Sequence, residues 1–173
     1  GHGFAGNVHP LLKGAALLDD ERRGVLVERC RQMLQAFATV RGDAVNWRSG
    51  TFKPRQGTAM LMQWCHGAPG VVTALADLPP GQAPDIDRLL VAAGHAIWQA
   101  GPLKKGPGLC HGTAGNGEAL LTLYRRTGDE GWLQRARRFA MHAVAQADAA
   151  RRQQGHGRHT LWTGDAGLAV YLW

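Results

Sequence analysis

Two short runs in this 173-residue sequence carry residue types that could do chemistry: Cys65-His66-Gly67-Ala68-Pro69-Gly70 and Cys110-His111-Gly112-Thr113-Ala114-Gly115. Their cysteines are 45 positions apart. Cys65, Cys110 and His111 together offer two thiolates and one imidazole, a set that leaves one corner of a tetrahedral zinc open. An open corner belongs to a catalytic zinc; a structural zinc is closed on all four sides. Two thiolates and a neutral imidazole cancel the charge of Zn2+. A substrate thiol entering the fourth corner would be held as its thiolate, because coordination deprotonates it. The complex is then anionic and its sulfur stays nucleophilic, which suits chemistry at sulfur better than hydrolysis. Spacing alone does not compel this reading. The pattern is not a CxxC pair, and two such cysteines also fit as small buried side chains. The repetition of Cys-His-Gly favours ligands. His66 repeats His111, and since one imidazole suffices, His66 reads as a supporting or helix-capping group. Cys30, on the apolar face of its segment, reads as core. His9, His95, His142, His156 and His159 stand in no partner pattern and read as surface or locally satisfied residues.

The elements that must position these residues are helical. Four glycine motifs recur, at Gly3-Phe4-Ala5-Gly6, Gly67-Ala68-Pro69-Gly70, Gly112-Thr113-Ala114-Gly115 and Gly164-Asp165-Ala166-Gly167, each followed by an apolar segment. A fixed local motif at irregular spacing suggests divergent repeats of about one helical hairpin each. Residues 4–18 read as a helix in which Pro10 warns of a late start or a kink. Residues 20–39 read as an amphipathic helix capped by Asp19 or Asp20, with Leu26, Cys30, Met33, Leu34 and Phe37 on one face. Residues 40–63 read as a long connection turning at Arg41-Gly42-Asp43 and Ser49-Gly50. Helices are expected at 68–78, with Pro69 in the first turn and a stop before Pro79-Pro80-Gly81, and at 85–100, 113–127 and 129–150. A polar loop spans 151–160, and a last helix begins near Asp165. Helix pairs joined by glycine turns predict an all-α fold, a solenoid or a closed α/α toroid, whose helix starts can face a common centre. Both cysteine motifs sit at helix mouths, where the helix dipole stabilises a thiolate.

Composition narrows the function further. Three cysteines do not make a disulfide framework. Thiols in glycine-rich motifs fit a reducing compartment, so the expected location is cytoplasmic. The net charge of +7 comes from scattered pairs, Arg22-Arg23, Lys104-Lys105, Arg125-Arg126, Arg137-Arg138 and Arg151-Arg152. They are not interleaved with aromatics and match no nucleic-acid module, so no nucleic-acid partner is expected. They read as solvated outer faces of helices, with a basic surface that could attract an acidic peptide or glutathione. No run of 18 or more apolar residues exists, so no membrane span is expected.

Trp64-Cys65-His66-Gly67-Ala68-Pro69-Gly70 followed by Lys104-Lys105-Gly106-Pro107-Gly108-Leu109-Cys110-His111-Gly112-Thr113-Ala114-Gly115-Asn116 resembles the lanthionine synthetase C-like family. Ala96-Ile97-Trp98, Leu121-Thr122-Leu123-Tyr124 and the closing Gly164-Asp165-Ala166-Gly167 extend the resemblance over nearly the whole chain. The Trp-Cys-His-Gly-Ala-Pro-Gly run and the Lys-Lys-Gly element look closer to the glutathione-binding, eukaryote-type branch than to dedicated lantibiotic cyclases. The resemblance implies an α/α toroid of inner and outer helices around zinc, with Cys65, Cys110 and His111 as its ligands. His2, in Gly1-His2-Gly3, takes the position of the active-site acid/base histidine. Lys105 matches a lysine associated with glutathione binding. The implied reaction adds a thiol to dehydroalanine or dehydrobutyrine. A cysteine of the same peptide would close a thioether ring, whereas glutathione would form an adduct.

The sequence opens without Met and stops at Trp173 inside an apolar helical pattern. It therefore reads as one domain over 1–173, truncated at both ends, that binds zinc weakly and is nearly inactive alone. An acidic residue that assists the histidine in the family has no counterpart, and Thr163 stands where close relatives tend to carry Glu. The runner-up reading is a zinc-containing module that holds glutathione or a peptide without turnover. A third, an α/α-toroid glycosidase, needs paired carboxylates. Only Asp165 and Glu118 lie near glycine motifs, and the Cys-His-Gly copies would go unexplained.

Overall fold

The computed structural model describes residues 2–49, 60–79 and 83–173. Its elements in chain order are α1 (Phe4–Lys13), a 3-10 turn (Ala15–Leu17), α2 (Asp20–Phe37), β1 (Ala38–Arg41), β2 (Ala44–Trp47), α3 (Ala68–Leu75), α4 (Pro84–Ala100), α5 (Thr113–Thr127), α6 (Glu130–Gln154) and α7 (Asp165–Leu172). The odd-numbered helices form an inner row in sequence order: α1 packs on α3, α3 on α5, and α5 on α7. The even-numbered helices stand behind it, α4 against α3 and α5, and α6 against α5 and α7. This is the inner and outer layering of an α/α toroid. Among the described residues, no helix is long and apolar enough to cross a membrane.

The row is set by side-chain size. α3 buries Ala68, Pro69, Gly70, Val72, Ala74 and Leu75, so almost every face meets protein. α5 opens with Thr113-Ala114-Gly115-Asn116-Gly117, all buried, and these small residues let α3, α6 and α7 approach together. The larger core lies between the layers, where Phe139, Leu75, Ile86, Leu90, Ile97 and Leu120 are fully buried. Each such side chain contributes about 2–3 kcal/mol of transfer free energy.

Asp19 caps α2 by accepting the Arg22 N–H at 2.8 Å, and Asp129 caps α6 by accepting the Gly131 N–H at 2.8 Å. α1 starts on time at Phe4 and carries Pro10 within it. The proline forgoes a single bond, to the carbonyl of Gly6. α6 runs four residues past the expected end, until Gly155 takes a left-handed C-cap (φ 77°). Within α2, Cys30 and Leu34 are buried but Phe37 is 42% exposed, so the apolar stripe ends a turn early.

Two expectations are corrected. The stretch 40–63 is not simply a connection, because residues 38–47 form an antiparallel hairpin with Ala38 opposite Trp47 and Arg41 opposite Ala44. Thr39, Val40 and Val45 are β-branched, and Gly42 supplies the positive φ (61°) that a two-residue hairpin turn needs at its first position. β2 is buried along its whole length against α4 and α3, so its side chains show no polar alternation. Nor are the basic pairs all solvated. Arg126 has a side chain only 5% exposed. It donates to the carbonyls of Ala76 and Leu78 at 2.7 and 2.6 Å and pairs with Asp87. Arg138 lies over the ring of Trp98, 5.9 Å from its centroid. The expected turn at Ser49-Gly50 and the break at Pro79-Pro80-Gly81 fall partly outside the described residues, as does Gly1.

Candidate metal centre

Four inner helices start at a capping glycine: Gly3, Gly67, Gly112 and Gly164. At the last three, the preceding loop folds back over the glycine. A Cβ there would lie 2.1 Å from the Leu61 carbonyl oxygen, 2.5 Å from that of Gly106 and 2.0 Å from that of Arg158, respectively. Only hydrogen fits in that space, so the glycine in each motif answers a close backbone approach. The residues just before these caps are laced together. His2 N–H donates to the Cys65 carbonyl (3.3 Å), Cys65 N–H to the Cys110 carbonyl (3.0 Å), and Cys110 N–H to the Trp162 carbonyl (2.7 Å). One backbone ladder thus ties the four mouths in chain order.

Cys65, Cys110 and His111 meet there, with one ligand atom of each lying within 4.8 Å of the others. Tetrahedral zinc, with Zn–S about 2.3 Å and Zn–N about 2.0–2.1 Å, needs ligand atoms about 3.5–3.8 Å apart. The trio is within about 1 Å of that spacing before any ion draws it together. Two sulfurs and one imidazole nitrogen, with no carboxylate among them, are a donor set suited to zinc. Cys65 is buried (7% exposed), while Cys110 and His111 are half-buried, so the cluster has a protein side and an open side. Its donor set and its open side both fit the metal.

The electrostatics follow from that placement. Burial pushes the Cys110 thiol above its usual range, the neighbouring Cys65 sulfur adds to the rise, and the Lys105 ammonium opposes it. The Cys65 thiol donates toward Gln63 Oε1 at 3.6 Å. His2 is exposed and stacks on His66, with ring centroids 5.1 Å apart and planes 13° from parallel. Burial, and then the field of His2, lower the His66 pKa, so the two rings resist being cationic together. His66 is therefore a neighbour of the acid/base candidate rather than a member of the trio, as its repeat position suggested. Lys105 is exposed on the loop between α4 and α5, which is pinned where Thr113 N–H meets the Gly106 carbonyl (2.9 Å) and Ala114 N–H meets that of Pro107 (3.1 Å).

Other residues of the site stood in the sequence as parts of motifs, or unnoticed, with no partner assigned to them. Trp64 stacks on Trp162, centroids 5.2 Å apart, and Trp162 is 51% exposed beside Cys110. A signal existed, because Trp162 precedes Gly164 by the same two positions that separate each cysteine from its glycine. Thr163, at the His111 position, bonds Thr160 Oγ1 at 2.9 Å. Buried Asn116 donates from Nδ2 to the Met62 carbonyl at 3.1 Å, and among the described residues its Oδ1 is buried without a hydrogen-bond partner. Asn46, from the hairpin, reaches the same loop and left no local signal. The carboxylates of the glycosidase reading are each engaged by an arginine: Glu118 by Arg125 at 2.9 Å and Asp165 by Arg151 at 3.3 Å.

Comparison with known proteins agrees with this geometry. The family described as "Lanthionine synthetase C-like protein" matches residues 1–173. A zebrafish (Danio rerio) protein named glutathione S-transferase LANCL1 is 38% identical over 128 residues, 71% of this chain and 29% of its own length. The LanC-like protein GCL1 of Arabidopsis thaliana is 35% identical over 133 residues, 72% of this chain and 30% of its own. The chain thus spans under a third of the length of these relatives. Its glycine-capped inner helices, its Cys-Cys-His cluster and the match over its whole length place this chain in the lanthionine synthetase C-like family.

Proposed function

We propose that this chain forms the zinc and thiol half of an enzyme that adds a thiol to a dehydroamino acid. The single observation that carries the reading is the convergence of Cys65, Cys110 and His111 at one half-open point. Cys65, Cys110 and His111 would hold the ion, and Zn2+ bound there supplies the Lewis acidity that lowers a thiol's pKa at neutral pH. The name of the zebrafish relative, a glutathione S-transferase, supports glutathione as the thiol; a peptide cysteine is the other candidate.

The protein's own groups divide the remaining work. The reaction forms an S–C bond at the β-carbon of dehydroalanine or dehydrobutyrine, breaks the C=C π bond and places a proton on the α-carbon. The thiol's proton is lost to a base, so the sum is the addition of R–SH across the double bond, without oxidant or reductant. His2 would move that proton; its backbone bond to Cys65 and its exposed ring support that role. His66 sets the plane of the His2 ring by stacking. Lys105, whose charge reaches Cys110, would attract a carboxylate of the thiol substrate, such as one of glutathione's. Reduced thiols are expected in the cytoplasm, where we place the protein.

Two measurements test this. Elemental analysis of the purified chain should find about one zinc per chain, and Cys110→Ala should lose it. Incubation with glutathione and a dehydroalanine peptide, followed by mass spectrometry, should show only a trace of the adduct from residues 1–173 alone, which are expected to be nearly inactive. His2→Ala should abolish turnover while retaining zinc. A parent chain that folds, is offered zinc and binds none would refute the reading. Zinc and glutathione bound by the parent, with an adduct yield that His2→Ala does not lower, would favour a binding module instead.

A further inference from the structure

At two of the helix mouths the first helical N–H closes its loop directly. Thr113 N–H donates to the Gly106 carbonyl at 2.9 Å, and Asp165 N–H to the Arg158 carbonyl at 2.8 Å. Both bonds span seven residues. The corresponding pair at the Cys65 mouth is the Ala68 N–H and the Leu61 carbonyl. There the carboxamide of Asn46, from β2, stands between the two: Oδ1 accepts from Ala68 N–H at 2.7 Å, and Nδ2 donates to the Leu61 carbonyl at 3.1 Å. Oδ1 also accepts the Trp47 N–H at 2.8 Å, so this buried amide (7% exposed) is engaged on both its ends and its orientation is dictated. Gly67 makes the insertion feasible. At φ 118°, a Cβ on it would lie 3.1 Å from Asn46 Oδ1.

We infer that Asn46 is a positioning residue of the metal centre. It replaces the local loop-closing bond with a spacer one amide deep. It thereby braces the base of the loop whose tip Gln63 and His66 close by reciprocal backbone bonds (3.0 and 3.1 Å), and sets how far Cys65 advances toward Cys110 and His111. The far side of that loop is fixed by the ladder bonds to Cys110 and His2, so the Cys65 sulfur is held between two backbone anchors. The hairpin, remote in sequence from both cysteines, is thus part of the site's frame. This rests on the reading of the trio as a metal centre.

The test uses Asn46→Asp on the whole chain. The carboxylate still accepts from Ala68 and Trp47 but sets an oxygen against the Leu61 carbonyl, so the loop loses its spacer with little change in volume. Zinc affinity is measured by competition with a chromophoric chelator, and site geometry by the absorption of the Co2+ form. Supporting partners of metal ligands typically account for about 10–100-fold in affinity, and a loss of that size is expected. On the metal-free folded chain, iodoacetamide should label Cys65 faster than in the parent and Cys110 at the parent rate. Trp47→Phe serves as control. It removes the indole bond to the Leu34 carbonyl (2.9 Å), and so loosens the hairpin while leaving the Asn46 amide in place. That variant should bind zinc as the parent does. Parent-like affinity in N46D overturns the inference, and so does an equal loss in W47F, which would reduce Asn46 to general hairpin stability. If the parent itself binds no zinc, the metal reading falls, and the labelling contrast alone decides for or against Asn46. Should N46D fail to fold, Asn46→Ser, with the same readouts, takes its place.

Discussion

Replacing Arg126 with Met should cost at least about 3 kcal/mol of stability, although nothing in its Arg-Arg dipeptide distinguishes it from an exposed arginine. The guanidinium is buried between α3 and α4. It donates to the Ala76 and Leu78 carbonyls at the C-terminal end of α3 and to Asp87 of α4. Met keeps the stem's packing and removes every donor. Two carbonyls then lose a charge-assisted partner, each loss worth about 1.5–3 kcal/mol. The Asp87 part is smaller, because its side chain is 32% exposed and solvent screens the pair. For a chain of this length about 3 kcal/mol corresponds to a fall in Tm of about 6–12 °C. The assay is thermal and urea unfolding of the parent, R126M, D87N and the double variant. D87N alone should cost about 1 kcal/mol, and the cycle should return a coupling of about 1 kcal/mol. Since α3 also carries the Cys65 mouth at its other end, zinc affinity should survive R126M in the folded chain. A change within about 0.5 kcal/mol, the range of ordinary surface substitutions, would refute the buried-staple argument.

The other predictions concern the core and the site. Burial raises the Cys30 thiol to about 11 from an ordinary 9.0, so its stabilising contribution is whole below pH 9 and is lost as pH rises toward 11, where the unfolded chain has already released its proton. Cys30→Ala should flatten that part of the stability-versus-pH curve, measured by urea titration; an unchanged slope would refute it. Gly67→Ala places a methyl 2.1 Å from the Leu61 carbonyl at a positive φ. It should cost at least about 1–3 kcal/mol and the zinc site with it, read by thermal melts and zinc content. Phe139→Ala, in the centre of the core, should cost about 3–5 kcal/mol in urea unfolding. Trp162→Ala should remove the near-ultraviolet circular dichroism signal of the stacked indole pair while changing stability by about 1 kcal/mol or less.

What the sequence by itself determined was local. A capping glycine, the small residues after it and an apolar segment specify a helix start within a few residues, so the inner helices could be placed before any coordinates. The two Cys-His-Gly copies announced the Cys65, Cys110 and His111 cluster because donor chemistry is carried by residue type and helix mouths by glycine. The tertiary structure decided what depends on partners far along the chain. Residues 38–47 pair as a hairpin because α4 and α3 cover β2, and a strand buried on both faces shows no alternation to read. Arg126 is buried because α3 ends beside it, 48 to 50 positions away at Leu78 and Ala76. Trp162 reaches Trp64 across the ladder of helix mouths. Asn46 enters the Cys65 loop 22 residues from the N–H it accepts. A lone asparagine in a strand states no partner. Its role appears only when folding brings an unmet N–H and an unmet carbonyl to either side of its amide, where leaving them unpaired in the interior would cost several kcal/mol.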